Sequence, residues 1–314
     1  MNKLISYVFI LLVLSYGLTA YAAAEVGLQT PKGVLYGTLE LPENIEKPDI
    51  VLIIGGSGPT NRDGNNRYAG KNNSLKFFAD ALKDNGIASL RYDKRGIAAS
   101  SSAAIPEQDL VFETFVNDAV LWAEQIRKDE RFGKLIIAGH SEGSLIAALT
   151  AIKAKADALI SLNGAGRPAY EVIDEQFMNN APQFREDALA IMDSLRKGKQ
   201  VERIPDVLLA VFRPDIQPYL ISYFKYDPAQ VYSVVAMPIL IAQGTTDLQV
   251  YLKDAERLAK SNNLSKLVII EGMNHILKEV PNDYQTQADS YNNPNMPVSQ
   301  KLKDVTNEFI KALP

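Results

Sequence analysis

One stretch limits what this chain can fold into more than any other: Leu135-Ile136-Ile137-Ala138-Gly139-His140-Ser141-Glu142-Gly143-Ser144-Leu145-Ile146-Ala147-Ala148. A β-branched aliphatic run passes without a linker into a small-residue apolar run, the pattern of a buried strand, an abrupt turn and a buried helix. The turn carries G-x-S-x-G. Strand and helix come so close in such a turn that Gly139 and Gly143 must lack Cβ atoms, and the serine between them is held in a strained conformation with its hydroxyl above the sheet edge. The competing explanation is a plain strand-to-helix turn capped by Ser141, which demands no chemical partners elsewhere in the chain.

The surrounding sequence supplies a sheet for this turn. Val26 to Thr30 and Gly33 to Leu41, split by Pro31-Lys32, alternate apolar and polar residues as an antiparallel hairpin does. Asp49 to Ile54, Ile87 to Tyr92, Leu135 to Ala138, Ala158 to Leu162, Pro238 to Gln243 and Leu267 to Ile270 are near-continuous aliphatic runs. Strands covered on both faces read this way. Helical periodicity separates several of them, at Leu75 to Leu82 and across 107–129, where Val111, Phe112, Phe115, Val116, Ala119, Trp122 and Ile126 share a face. Alternation of this kind predicts an α/β fold with a mostly parallel sheet flanked by helices.

The rhythm lapses between 167 and 236. Only helical patterns occur there, separated by prolines at 182, 205, 214, 218 and 228. Inserted between two strands, this segment is expected to form a helical cap, with residues 25–166 and 237–314 as the core domain. Its later half is rich in aromatics, namely Phe212, Tyr219, Tyr223, Phe224, Tyr226 and Tyr232, whose expected role is mainly to pack the cap onto the core.

The first long strand ends in Gly55-Gly56-Ser57-Gly58-Pro59. A phosphate-binding loop would need G-x-G-x-x-G spacing or a G-K-[ST] ending, and neither is present. Backbone N–H groups free of obstruction suit an oxyanion hole instead, and the amides of Ser57 and Glu142 are the expected donors. A simple surface turn is the alternative. Asp93 or Arg95, at the end of the next strand, is placed to pair with Arg62 or Asp63 and so fix this loop.

Two further groups fall at strand ends. Asp247 follows the run ending at Gln243, and His275 follows the run ending at Ile270. The order Ser141, Asp247, His275 is that of the α/β-hydrolase triad, and placement past successive strands brings the three together. His140, the only other histidine, is the rival base, although its neighbour's turn geometry sends the two side chains in different directions.

These features resemble the α/β-hydrolase superfamily from about Val26 to the C-terminus. Within it, G-G-S-G-P-x-x-R-D-G (Gly55 to Gly64), R-Y-D-K-R-G (Arg91 to Gly96), G-H-S-E-G, G-x-x-D (Gly244 to Asp247) and Asn274-His275 are similar to the EstD-type carboxylesterases. One departure is Gly55, where many family members carry a histidine. The resemblance implies a serine esterase in which His275 takes the proton of Ser141 while Asp247 holds the imidazole, with water releasing the acyl group and no cofactor required. A serine aminopeptidase or acyl-peptide hydrolase would use the same triad, and a non-catalytic binding protein on this fold is a third reading. Glu142 and Asp63 are the carboxylates that an amine-binding peptidase would draw on, although a helix N-terminus and a loop beside Arg62 explain each of them equally well.

Composition narrows the partners. The 314 residues carry a net charge of −4 with no basic cluster, which argues against nucleic acid and leaves a small-molecule ester as the expected partner. The absence of cysteine excludes disulfides and thiolate chemistry, and two histidines leave little for a metal site. Oligomeric state has no signal. Met1-Asn2-Lys3, the apolar run Leu4 to Leu14 and the small residues Ala20 to Ala24 have the three regions of a signal peptide spanning 1–24, cut after Ala22 or Ala24. A periplasmic or secreted protein without a stable membrane anchor is therefore expected, since the apolar run falls short of the ~20 residues of a bilayer span.

Overall fold

The computed structural model describes residues 23–314, so the expected leader up to Ala22 lies outside the described residues. Eight strands form one sheet: β1 (Ala23–Thr30), β2 (Gly33–Glu40), β3 (Ile50–Ile54), β4 (Ala88–Tyr92), β5 (Leu135–His140), β6 (Ala158–Leu162), β7 (Ile239–Gly244) and β8 (Ser265–Ile270). Their spatial order is β1-β2-β4-β3-β5-β6-β7-β8. The hairpin β1-β2 is antiparallel and joins β4 antiparallel, while β4, β3, β5, β6, β7 and β8 run parallel. This is the mostly parallel α/β sheet that the aliphatic runs predict. β1 takes in Ala23 and Ala24, paired with Glu40 and Leu39, so a cut after Ala24 would remove two strand residues.

Side chains alternate between the two faces of each strand, and the core divides accordingly. Ile50, Leu52 and Ile54 of β3, Leu135 and Ile137 of β5, and Ile239 and Ile241 of β7 belong to one apolar cluster. Val51, Ile53, Ile136, Ala138, Leu240 and Ala242 belong to the other. The first is covered by α2 (Phe112–Arg127), α3 (Glu142–Ala154) and the helices after β6, and the second by α1 (Ser74–Asp84) and the C-terminal helix (Gln300–Lys311). Each fully buried Leu, Ile or Phe contributes roughly 1.5–3 kcal/mol, so strands with every side chain covered are the most strongly fixed elements, and their ends are rigid places to mount chemistry.

Between β6 and β7 the chain is helical: α4 (Ala169–Asn180), α5 (Arg185–Arg196), α6 (Leu209–Phe212), α7 (Gln217–Tyr223) and α8 (Pro228–Ser233). Phe212, Tyr219, Phe224 and Tyr232 are buried. Phe112 of α2 stacks on Tyr223 with centroids 4.5 Å apart and planes 3° from parallel, and its backbone N–H donates to Ser222 Oγ at 2.7 Å. From α8, Tyr232 OH shares a buried cluster with Ser144 Oγ (2.7 Å), which also meets Ser161 Oγ of β6 at 2.8 Å.

The helix before β5 starts later than its periodicity suggests. Pro106 and Leu110 are extended around a short 3₁₀ turn, and the α-helix begins at Phe112. The apolar spacing extends into this approach because Leu110 packs on the same core, which is burial without helix.

Candidate active site

Ser141 sits in the turn from β5 to α3 with φ 55° and ψ −123°, a left-handed value that is strained for a residue with a Cβ. Its N–H donates to Leu162 O at 3.0 Å, and its C=O accepts from Ser144 N at 2.9 Å. The flanking glycines are required by contact. A Cβ on Gly139 would lie 2.0 Å from Gly143 O, and one on Gly143 would lie 2.5 Å from Ile54 O. Either addition would push the helix off the sheet.

Asp247 and His275 meet beside this turn. Asp247 Oδ2 accepts from His275 Nδ1 at 2.8 Å, while Oδ1 accepts from the N–H groups of Gln249 (2.7 Å) and Val250 (3.0 Å). Gln243 Nε2 donates to the Val250 carbonyl at 2.9 Å and fixes the base of this loop. Both Asp247 and His275 are buried. A carboxylate facing Nδ1 places the proton there, which leaves the Nε2 lone pair of His275 free to accept another. Among the described residues Ser141 Oγ has no hydrogen-bond partner, a looseness common in ligand-free sites that tighten around a substrate.

His140 points elsewhere. Its ring lies 4.8 Å from that of His275, and its Nε2 reaches the His275 carbonyl at 2.7 Å. A carbonyl only accepts, so this nitrogen carries the proton. Burial, followed by the repulsion of His275, pushes the His140 pKa down to about 3, and the ring is neutral across the physiological range. A weaker base is hard to build from imidazole.

Asn163, which the sequence reading passed over, joins three strand ends. At φ 48°, a conformation asparagine tolerates, it donates from Nδ2 to the carbonyls of Asn274 (2.8 Å) and His275 (3.1 Å) and accepts from Gly244 N at 3.0 Å. The sequence signal was a polar residue closing an aliphatic strand, one step before a glycine.

The glycine-rich loop lies against the serine. A Cβ on Gly56 would stand 3.2 Å from Ser141 Cβ and 3.2 Å from His140 Nδ1. Neither the Ser57 nor the Glu142 amide donates to a backbone acceptor among the described residues. The loop is clamped by the pair Asp93 and Arg62: Asp93 accepts from Arg62 N at 2.7 Å and Arg62 Nε at 3.0 Å. Arg95, the other candidate, turns away to Asp118 at 2.6 Å, and Asp63 is taken by Arg91 at 2.8 Å.

Glu142 differs from the exposed helix-opening carboxylate that its position suggests. It is buried, with Oε1 4.0 Å from Lys94 Nζ and the Tyr219 hydroxyl beside it without a regular hydrogen bond. Burial raises its pKa, and Lys94 pulls the other way. The reason lies in the approach of the helices after β6, which roof the first turn of α3.

Among the described residues no cluster of His, Asp and Glu has the makings of a metal site, and no helix is long and apolar enough to cross a membrane.

Comparison with known proteins agrees with this architecture. The family described as serine aminopeptidase, S33, matches residues 65–280. Esterase EstD of Thermotoga maritima is 27% identical over 274 residues, covering 81% of this chain, which spans 62% of that relative's length. Est1E from Butyrivibrio proteoclasticus superposes with a TM-score of 0.59 at 20% identity, over 91% of this chain and 99% of that one. The Pyrococcus furiosus esterase PF2001 gives 0.59 at 15% identity, over 93% and 91%. At such identities these two structures speak for the fold.

Proposed function

From a chain that belongs to the serine aminopeptidase, S33, family of serine hydrolases, we propose a carboxylesterase that hydrolyses short-acyl esters through Ser141, His275 and Asp247. Ser141 attacks the ester carbonyl as His275 Nε2 takes its proton. Asp247 keeps the opposite nitrogen protonated and stabilises the imidazolium that forms. The developing oxyanion is met by the amides of Ser57 and Glu142. His275 then returns the proton to the departing alcohol, and water, deprotonated by the same imidazole, releases the acid from the acyl-enzyme. The helices α4 to α8 serve as a cap that bounds the acyl side. The Met1 to Ala24 pattern supports export to the periplasm or beyond, with the mature chain beginning at Ala23 to keep β1 whole.

The observation that carries ester over peptide concerns the carboxylates an aminopeptidase would need. A substrate ammonium must find a free carboxylate near the serine. Glu142 is buried against Lys94, and Asp63 bonds Arg91. Each already faces a cation of the chain itself, Asp63 sharing Arg91 with the buried Glu40. Esters need no such clamp, because an alcohol leaves more readily than an amine once His275 returns the proton. The curated relative's name, an esterase, supports the same choice, while the family's description keeps the aminopeptidase as the rival.

The deciding experiment compares kcat/KM for p-nitrophenyl acetate through hexanoate, p-nitrophenyl palmitate and aminoacyl-anilides in one buffer. Short esters are expected to be turned over fastest. An anilide processed better than the short esters, with that preference lost in Glu142→Gln, would establish the aminopeptidase instead.

A further inference from the structure

Lys94 takes no part in the triad, yet it is only 3% exposed at the end of β4, where a lysine ordinarily reaches water. Its Nζ donates to the Gly56 carbonyl at 2.5 Å, lies 5.2 Å from the centroid of the Phe115 ring, and stands 4.0 Å from Glu142 Oε1. Burial lowers its pKa, against the pull of Glu142. Ammonium and amine alike carry hydrogens to donate, so the bond to Gly56 does not depend on the charge.

Resting on the esterase reading, we propose that Lys94 is a positioning residue for the oxyanion site: by anchoring the Gly56 carbonyl it turns the Ser57 N–H toward the oxygen that becomes negative when Ser141 attacks. The peptide between Gly56 and Ser57 is a rigid trans unit, since the described chain contains no cis bond, and its C=O and N–H point in opposite directions. Fixing one end fixes the other. Gly56 is packed against Ser141 and His140, so the amide that follows it lies at the rim of the nucleophile. A hydrogen bond to the carbonyl also polarises the peptide and strengthens its N–H as a donor. Glu142 supplies the second amide, and its carboxyl faces the same Nζ. One buried side chain thus holds the carbonyl of the peptide that carries the first donor and faces the carboxyl of the residue that carries the second, which is the preorganisation an oxyanion site needs before charge develops. A loop of Gly55-Gly56-Ser57-Gly58 has little stiffness of its own, so an outside anchor has something to correct.

The test is a double-mutant cycle on an ester substrate, with kcat and KM separated. Lys94→Met keeps length and fits beside Phe115 but cannot hold the carbonyl. Its kcat should fall by about 10- to 100-fold with KM within roughly twofold, since an interaction made only in the transition state is lost. Ser57→Pro deletes the N–H outright and should lower kcat on the order of 10²- to 10³-fold. The double variant should be no slower than Ser57→Pro alone, because the lysine acts through that amide. A folded Lys94→Met with kcat within twofold of wild type, a loss confined to KM, losses that multiply in the double variant, or a fully active Ser57→Pro would each overturn the proposal. If Lys94→Met lacks a cooperative unfolding transition, Lys94→Gln, too short to reach Gly56, enters the same cycle with the same expectations. Wild-type protein without Ser141-dependent ester turnover would remove the esterase reading and this proposal together, whereas the outcomes above remove only this one.

Discussion

His140 Nε2 donates to the main-chain carbonyl of His275 at 2.7 Å, so one histidine of the chain holds the backbone of the other. The residue before Ser141 thereby sets the height of the loop that carries His275. Asn163 grips the same carbonyl from β6, and the two donors together leave His275 little freedom except rotation of its ring, which Asp247 removes.

This arrangement predicts an acid-labile fold. His140 stays neutral in the folded protein down to about pH 3, whereas an unfolded chain protonates its histidines near 6.5. Between those values the unfolded state binds the extra proton, so the stability contributed by neutral His140 is present above about pH 6.5 and drains away as pH falls toward 3. His140→Asn keeps a donor and cannot titrate. Its melting temperature should fall less steeply than that of wild type between pH 6.5 and pH 4, and parallel curves would contradict the assignment.

The two histidines should separate kinetically. His275→Ala should lower kcat by roughly 10⁴-fold or more, since the proposed triad acts as a unit that the loss of one member disables. His140→Asn should cost no more than about 10-fold, the scale of a supporting hydrogen bond. Steady-state kinetics on both variants, at matched melting temperature, checks the ranking, and a reversed order would make His140 the base.

The clamp on the glycine-rich loop is a largely buried ion pair, Asp93 with Arg62, and removing Asp93 leaves Arg62, among the described residues, only Thr38 Oγ1 and the exposed Glu25 at 3.5 Å. Asp93→Ala should destabilise the protein by about 3–5 kcal/mol. Denaturant unfolding measures it, and a loss below about 1 kcal/mol would place this pair with ordinary surface ones.

Phe112 joins the core helix α2 to α7. Phe112→Ala should cost about 3–5 kcal/mol as a large-to-small core change, and it removes the stack on Tyr223. Limited proteolysis should then cut first within 205–235, ahead of the sheet. An unchanged cleavage pattern would show that the helical segment is held by other contacts.

The central strands were legible because parallel strands covered on both faces have no polar face to interrupt the aliphatic run, and because Gly55, Gly139, Asn163 and Gly244 close the runs of β3, β5, β6 and β7. Asp247 and His275 stood out for the same reason: they follow aliphatic runs at short distance, and strand ends gather at one edge of the sheet. What the chain order hides is pairing between loops. Arg62 and Asp63 each had a candidate partner in the charged run after β4, but only Asp93 took its place on Arg62, while Arg95 went to a helix that follows the loop and left Asp63 to Arg91. Lys94 reads as one more charge in an exposed-looking Asp93-Lys94-Arg95 run, and Glu142 as an ordinary helix opener. Only the roof formed by α7 and α2 buries them together, and nothing in local spacing encodes that. Asn163 was missed for a similar reason, since its partners come from two later strands.

The central claim is that Ser141 is the nucleophile, and one measurement addresses it directly. Wild-type protein and Ser141→Ala are each given a short-acyl p-nitrophenyl ester and, separately, a fluorophosphonate, with turnover followed by absorbance and the adduct located by peptide mass spectrometry. The account predicts a single adduct on the peptide containing Ser141 in wild type, none in Ser141→Ala, and a loss of ester turnover of roughly 10⁴-fold or more in a variant that unfolds like wild type. Ester turnover by a folded Ser141→Ala above about a tenth of the wild-type rate, or an adduct on another residue, would contradict it.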